Sequence, residues 1–250
     1  MISPSTAALT ALSWLTVFPV RTPSEAPDRN LGGAVIASVP AIGAALGALS
    51  AAIAFGLSWT ALPPLMIGGL VIAVLAAATR GMHLDGLSDT ADGLGCYGSP
   101  ERVAEVMRSG SAGPFGVATL IVVLGIQWTG FTALTVEGRW YELAFAIAVG
   151  RVGAVVGCRR GLGSATPSGF GPLVAGTQRT SIGVWAMIAA VMGVLIVESP
   201  IRAIIVVAAV VAVAWMFTAH CARRMGGING DVLGAVIEIG VAIAVVGLLV

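Results

Sequence analysis

Asp85, Asp89 and Asp92 stand at i, i+4 and i+7 in the stretch RGMHLDGLSDTADGLGCYG (80–98), in a chain with only two other aspartates, Asp28 and Asp231. On a helix of about 3.6 residues per turn these positions fall within one narrow stripe. Carboxylates aligned in that way repel one another unless a cation lies between them. The chain has no lysine, and Arg80 is the one basic residue in the stretch, so a divalent metal is the economical counter-charge. Oxygen ligands favour Mg²⁺, with Mn²⁺ an alternative, over zinc, and Mg²⁺ commonly joins protein carboxylates to substrate phosphates. A single aspartate in a loop usually caps a turn; three at helical spacing beside a long apolar run point to a site. Gly81, Gly86, Gly93 and Gly95 leave the backbone open to a bulky phosphate ligand, and they weaken the helix that carries the stripe. His83 has the chemistry to ligate a metal, bond a phosphate or shuttle a proton, or to serve only as a structural hydrogen-bonder.

The elements that must hold this cluster are membrane spans. Of 250 residues, 57% are apolar and 10% charged, against roughly 45–50% and about 25% in soluble domains. The apolar residues come in long runs punctuated by glycine, as in transmembrane helices. At about 20 residues per crossing, the runs predict an all-α bundle of about seven spans, near 33–57, 61–79, 114–136, 141–158, 182–197, 203–220 and 232–250. A short apolar stretch, 7–20, is expected to lie in the interface or dip into the bundle. No basic residue precedes Arg21, so the start lacks the pattern of a secretory signal. The whole chain reads as a single membrane domain.

With that topology, the loops 80–113, 159–181 and 221–231 share one face with the N-terminal arm. That face holds Arg21, Arg29, Arg80, Arg102, Arg108, Arg159, Arg160, Arg179, Arg223 and Arg224, and the other holds Arg139 and Arg202. Basic residues are retained in cytoplasmic loops, which assigns the first face to the cytoplasm. Nearly every chemically capable residue lies there too. A transporter needs groups reachable from both sides and polar groups at the midplane, where this chain has mainly Arg151. Arg151 needs a partner in the membrane or a route to the interface, and Glu238 is one candidate. The one-sided pattern fits an enzyme fed from the cytosol. Cys96, Cys158 and Cys221 show no paired spacing and read as reduced packing residues.

The string HLDGLSDTADG (83–93) resembles the hallmark of the cobalamin synthase, or adenosylcobinamide-GDP ribazoletransferase, family. Three other stretches are similar in order and spacing: TALSWLTVFPV (10–20), ERVAEVMRSGSAGPFG (101–116) and GGINGDVLGAVIE (226–238). One departure stands out. Family members usually carry an acid soon after the Met-Arg pair, where this chain has Ser109, Gly110 and Ser111.

The resemblance implies transfer of adenosylcobinamide phosphate from adenosylcobinamide-GDP to α-ribazole or its 5′-phosphate, with release of GMP and formation of adenosylcobalamin or its 5′-phosphate. It implies Mg²⁺ on Asp85, Asp89 and Asp92, with Asp231 a fourth acidic ligand or the group that activates the attacking ribose hydroxyl. Asp231 equally suits the cap of the last helix. Arg108, Arg159 and Arg160, with Gly86, Gly93 and Asn229, are the candidate substrate contacts; for the arginines, anchoring to lipid headgroups is the simpler role. The expected partners are the two substrates and membrane lipid, without nucleic acid, and a homo-oligomer is compatible with the sequence. Two rivals belong to other classes: a membrane phosphotransferase acting on a CDP-alcohol or prenyl diphosphate, and a transporter of corrinoid or divalent ions.

Overall fold

Residues 2–20 and 26–250 are described by a computed structural model; Arg21, counted above toward the charge of one face, lies outside them. The helices begin where the local chemistry dictates. Proline occupies the first turn of α1 (Pro4–Leu15), α3 (Pro64–Ala78), α5 (Pro100–Met107), α6 (Pro114–Val136) and α11 (Pro200–Met225), where its missing N–H costs nothing. Asp28 caps α2 (Arg29–Ser58) by accepting from the Leu31 N–H, and Asn229 caps α12 (Gly230–Leu249) by accepting from the Val232 N–H. The remaining helices are α4 (Met82–Gly95), α7 (Trp140–Gly150), α8 (Val152–Gly157), α9 (Phe170–Val174) and α10 (Thr180–Ile196). No strand occurs among the described residues, only two isolated bridges, Arg159 to Gln178 and Ser164 to Ile228.

Each of the seven predicted spans is helical, with 141–158 in two pieces, α7 and α8. Five segments are long and apolar enough to cross a bilayer: α2, α6, Trp140–Gly157 (α7 with α8), α11 and α12. Helices α3 and α4 qualify as a sixth only when joined, and a bend of 91° separates them. Helix α10 is apolar but has 17 residues, at the lower limit of a span. The protein is therefore a multi-pass membrane bundle. Stretch 80–113, expected as a loop, is instead largely helical, in α4 and α5.

Helix α12 lies at the centre and is buried along most of its length. Its neighbours include α4, α6, α7, α8 and α11. A Cβ on Gly240 would stand 3.0 Å from the Gly150 Cα, so α12 and α7 cross at backbone contact. At one end of the bundle, Arg29 donates to the carbonyls of Pro172 and Ala175, Gln178 to that of Gly33, and Arg224 to that of Cys96, tying the loops of the expected cytoplasmic face together. At the other end, Arg139 and Arg202 both donate to the Leu248 carbonyl at the close of α12.

Candidate active site

The site begins with a corner. Arg80 (φ 56°) and Gly81 (φ 69°) both adopt the left-handed conformation, which a non-glycine residue takes only at a cost. Arg80 is held there in part by a bond from its guanidinium to the Trp14 carbonyl at 2.7 Å. The two residues turn the chain by 91°, so that α4 leaves the direction of α3 and runs across the N-terminal turns of α12 and α6. A Cβ on Gly86 would lie 2.7 Å from the Asp231 carbonyl oxygen, and one on Gly234 would lie 3.0 Å from the His83 Cα. This glycine-on-backbone contact brings Asp231, on the last helix, to Asp85 and Asp89.

Asp92 faces elsewhere. Its Oδ2 accepts from the Gly113 N–H at 2.7 Å and its Oδ1 from the Gly116 N–H at 2.9 Å. Gly113 is the cap position of α6 and offers no side chain of its own, so Asp92 satisfies the free N–H groups at that helix start. Gly116 is obligatory there, because a Cβ would overlap both Asp92 and Ser88. The expected stripe thus meets two different surroundings. Asp85, Asp89 and Asp231 form the carboxylate group, and Asp92 fastens α6 to α4.

The group carries uncompensated negative charge. Burial, followed by repulsion from Asp85, Asp231 and Asp92, pushes the Asp89 carboxyl up to about 6. None of these four acids forms an ion pair among the described residues. Asn229, while capping α12, donates from Nδ2 to Asp231 Oδ2 at 2.7 Å and sets that carboxylate's orientation. Hard oxygen donors whose mutual repulsion is unrelieved fit a divalent cation. No three His, Cys, Asp or Glu side chains among the described residues converge into a metal cage.

Below the carboxylates a cavity of about 510 Å³ runs into the bundle. Asp85, Asp231, Arg80 and Trp14 stand in its wall with Phe170, whose ring meets that of Trp14 edge to face at 6.2 Å. Deeper, the walls are apolar, formed by Ile36, Val39, Ile42, Leu46, Leu233 and Ile237. His83 and Arg151 supply further polar groups. The pairing of Arg151 with Glu238 is not found. Glu238 lies 3.3 Å from His83 Nδ1, which is not aligned for a hydrogen bond, and it accepts from Gln127 Nε2 at 2.8 Å. Arg151 instead donates to the Ile147 carbonyl of its own helix at 2.9 Å. His83 is thereby placed as a cavity wall and partner of Glu238.

Other expected contacts are relocated as well. Gly86 and Gly93 admit protein rather than phosphate: Gly86 meets α12, and a Cβ on Gly93 would stand 2.9 Å from Met107 Cγ. Arg159 is buried. It donates to Thr218 Oγ1 at 2.6 Å and to the Trp215 carbonyl at 3.1 Å, and its guanidinium stacks on the Trp215 ring at 4.2 Å, so it pins α11 and is not free to clamp a substrate. Arg108 and Arg160 are exposed on the site-bearing end. Ser109 and Ser111 line a shallow cleft beside Asp92. Trp14 and Gln127 went unnoticed in the sequence. Glu238 was expected only as a partner of Arg151; its contacts with Gln127 and His83 depend on helices distant in sequence.

The sequence profile of the family described as Cobalamin-5-phosphate synthase matches residues 7–249. A protein of Corynebacterium efficiens named adenosylcobinamide-GDP ribazoletransferase is 35% identical over 95% of this chain and 88% of its own. Proteins with the same name from Frankia casuarinae and Stutzerimonas stutzeri are 35% and 30% identical, over 93% and 96% of this chain and 90% and 96% of theirs. No solved structure matches.

Proposed function

We propose, from the premise that this chain belongs to the cobalamin-5-phosphate synthase family, that it joins adenosylcobinamide phosphate, supplied as adenosylcobinamide-GDP, to α-ribazole or its 5′-phosphate. A ribose hydroxyl of the acceptor attacks the phosphorus that carries the cobinamide. The bond from that phosphorus to the oxygen of GMP breaks, GMP leaves with the electron pair, and the hydroxyl proton passes to a base. The products are GMP and adenosylcobalamin or its 5′-phosphate. The match across nearly the whole chain disfavours the lipid-phosphotransferase and transporter readings.

The observation that carries the mechanism is the group of unpaired carboxylates at a cavity, assembled from two distant helices. Asp85 and Asp89 are the residues to hold Mg²⁺. Bound there, the ion would neutralise charge on the diphosphate, the main requirement of phosphoryl transfer. Asp231, oriented by Asn229, accepts the proton of the attacking hydroxyl. Asp92 keeps the start of α6 against α4, so the carboxylate helix cannot drift. Arg108 and Arg160, exposed on the same end, meet the phosphates or guanine of the donor as it arrives.

Nine of the described arginines lie on the site-bearing end and two on the other. That bias orients the site to the cytoplasm of a bacterial inner membrane, where the water-soluble substrates are available. The deciding experiment incubates purified protein with adenosylcobinamide-GDP and α-ribazole, with and without Mg²⁺, beside Asp89→Ala. GMP and a cobalamin product formed only with metal and intact Asp89 is the expected result. Full activity in the variant would overturn the carboxylate mechanism, and inactivity of well-folded wild-type protein would overturn the reaction.

A further inference from the structure

The reaction proposed above brings together two substrates of very different size. A corrin macrocycle bearing an adenosyl group and GDP is far too bulky for a cavity of about 510 Å³. A nucleoside is not, since small-molecule sites commonly enclose about 300–1,000 Å³. Apart from Arg151 and His83, the deep walls are aliphatic and suit a flat apolar ring. Along α12, Asp231 and Ile237 both line the cavity, six residues or about 9 Å apart at 1.5 Å per residue, close to the length of a heterocycle joined to a pentose.

One polar side chain in this cavity wall makes a single hydrogen bond within the fold. Arg151 is 3% exposed and sits in mid-span, where it neither reaches the interface nor forms an ion pair among the described residues. Of the five N–H donors of a guanidinium, its bond to Ile147 is the single one made to the described residues. Leaving the others without acceptors in the membrane is costly, and the side chain is nevertheless held in place: it lies along Gly43 of α2, where a Cβ would overlap it.

We propose that this cavity seats the base of the acceptor nucleoside, a planar neutral aromatic heterocycle, with Arg151 donating to its ring nitrogen and its ribose left at Asp85 and Asp231. This deepens the reading given above and rests on it. The donor then approaches from the cytoplasmic surface and never enters the bundle. The placement also gives a reason for an enzyme of water-soluble substrates to be built in a membrane: an apolar slot of this depth lies within the spans. An acyl chain of a lipid would fill the same walls but would leave Arg151 without an acceptor.

The test uses the full chain in detergent. Equilibrium dialysis with labelled α-ribazole, in the absence of donor, is run on wild type, Arg151→Met, Arg151→Lys and Ala154→Leu, the last narrowing the cavity from another wall. Saturable binding by wild type is expected to weaken at least about tenfold in Arg151→Met and Ala154→Leu, with partial recovery in Arg151→Lys. In turnover, KM for α-ribazole rises in parallel, while KM for adenosylcobinamide-GDP stays within about twofold. Acceptor binding and KM unmoved in Ala154→Leu, which keeps the guanidinium, would overturn the placement and leave the reaction standing. Binding lost in the variants, with no turnover by wild type, would do the reverse. Absence of α-ribazole binding, with a phospholipid retained in the protein, would make the cavity a lipid slot and end the proposal.

Discussion

The two ends of the bundle treat charge in opposite ways. At the end away from the carboxylates, Arg139 pairs with Glu137 and with the buried Glu142, and together with Arg202 it satisfies the last carbonyls of α12. Every acid there has a partner or faces solvent, and the cations sit where a helix C-terminus wants them. At the other end Asp85, Asp89 and Asp231 are crowded together without a cation, while the arginines nearby bond to carbonyls or point to solvent. Charge that holds the fold is neutralised within the fold. Charge left unneutralised within the fold, at a cost in stability, is what the proposed metal would relieve.

That contrast separates two kinds of damage. At the carboxylate end, Asp89→Ala is expected to lower turnover by at least about 10²-fold while leaving the thermal midpoint unchanged or raised, because it removes repulsion. Rates and melting curves taken on one preparation check both halves. A large drop in melting temperature would place Asp89 among the structural charges. At the opposite end the reverse holds. Arg139→Met strands Glu142, which is 2% exposed, and should cost about 3–5 kcal/mol, as breaking a buried pair does. Chemical denaturation measures it, with activity per folded molecule retained.

The junction between α4 and α12 tests whether glycine contact assembles the site. Gly86→Ala places a methyl against the backbone of Asp231 and is expected to cost about 1–3 kcal/mol by overpacking, with turnover falling as Asp231 moves away. Full activity would mean that the two helices need not touch there.

A gentler probe is pH. The Asp89 carboxyl is raised from 3.8 to about 6 in the folded protein. Between those values the metal-free fold keeps a proton that the unfolded chain has lost, so stability falls as pH rises through that window. Mg²⁺ competes with the same proton. Its apparent affinity should strengthen on going from pH 5 to 7.5 and level off once Asp89 is ionised. Melting curves with and without Mg²⁺ at the two pH values show this, and Asp89→Asn should flatten the dependence. The smallest effect belongs to Arg108→Ala, an exposed side chain whose loss should shift stability by less than about 0.5 kcal/mol. A rise confined to the KM of adenosylcobinamide-GDP would identify it as a donor contact.

Much of this protein is legible in one dimension. Apolar runs of span length, helix starts at Ser-Pro, Gly-Pro, Asp and Asn, and the sorting of arginine to one face depend on neighbours in sequence and on the bilayer as solvent. The spacing of Asp85 and Asp89 placed them on one side of a helix before any tertiary contact was considered. The same periodicity could not show that Asp92 also meets the start of α6, because a 3.6-residue repeat reports which way a side chain points and not which backbone N–H groups will meet it. Arg159 was misread for a similar reason: in sequence it is a basic residue at the end of a span, and only the approach of Thr218 and Trp215 on α11 turns it inward.

The sequence by itself determined that the chain is an all-helical membrane bundle and that its arginines sort to one side of it, since both follow from composition and short-range spacing. Only the tertiary structure decided how Asp231 comes to lie against Asp85 and Asp89, that Asp92 bonds to the start of α6, that Glu238 lies beside His83, and that a cavity opens beneath the carboxylates. Those facts depend on a 91° corner at Arg80 and Gly81 and on glycine contacts between helices well over a hundred residues apart, and no local pattern encodes which distant backbone will come to rest against them.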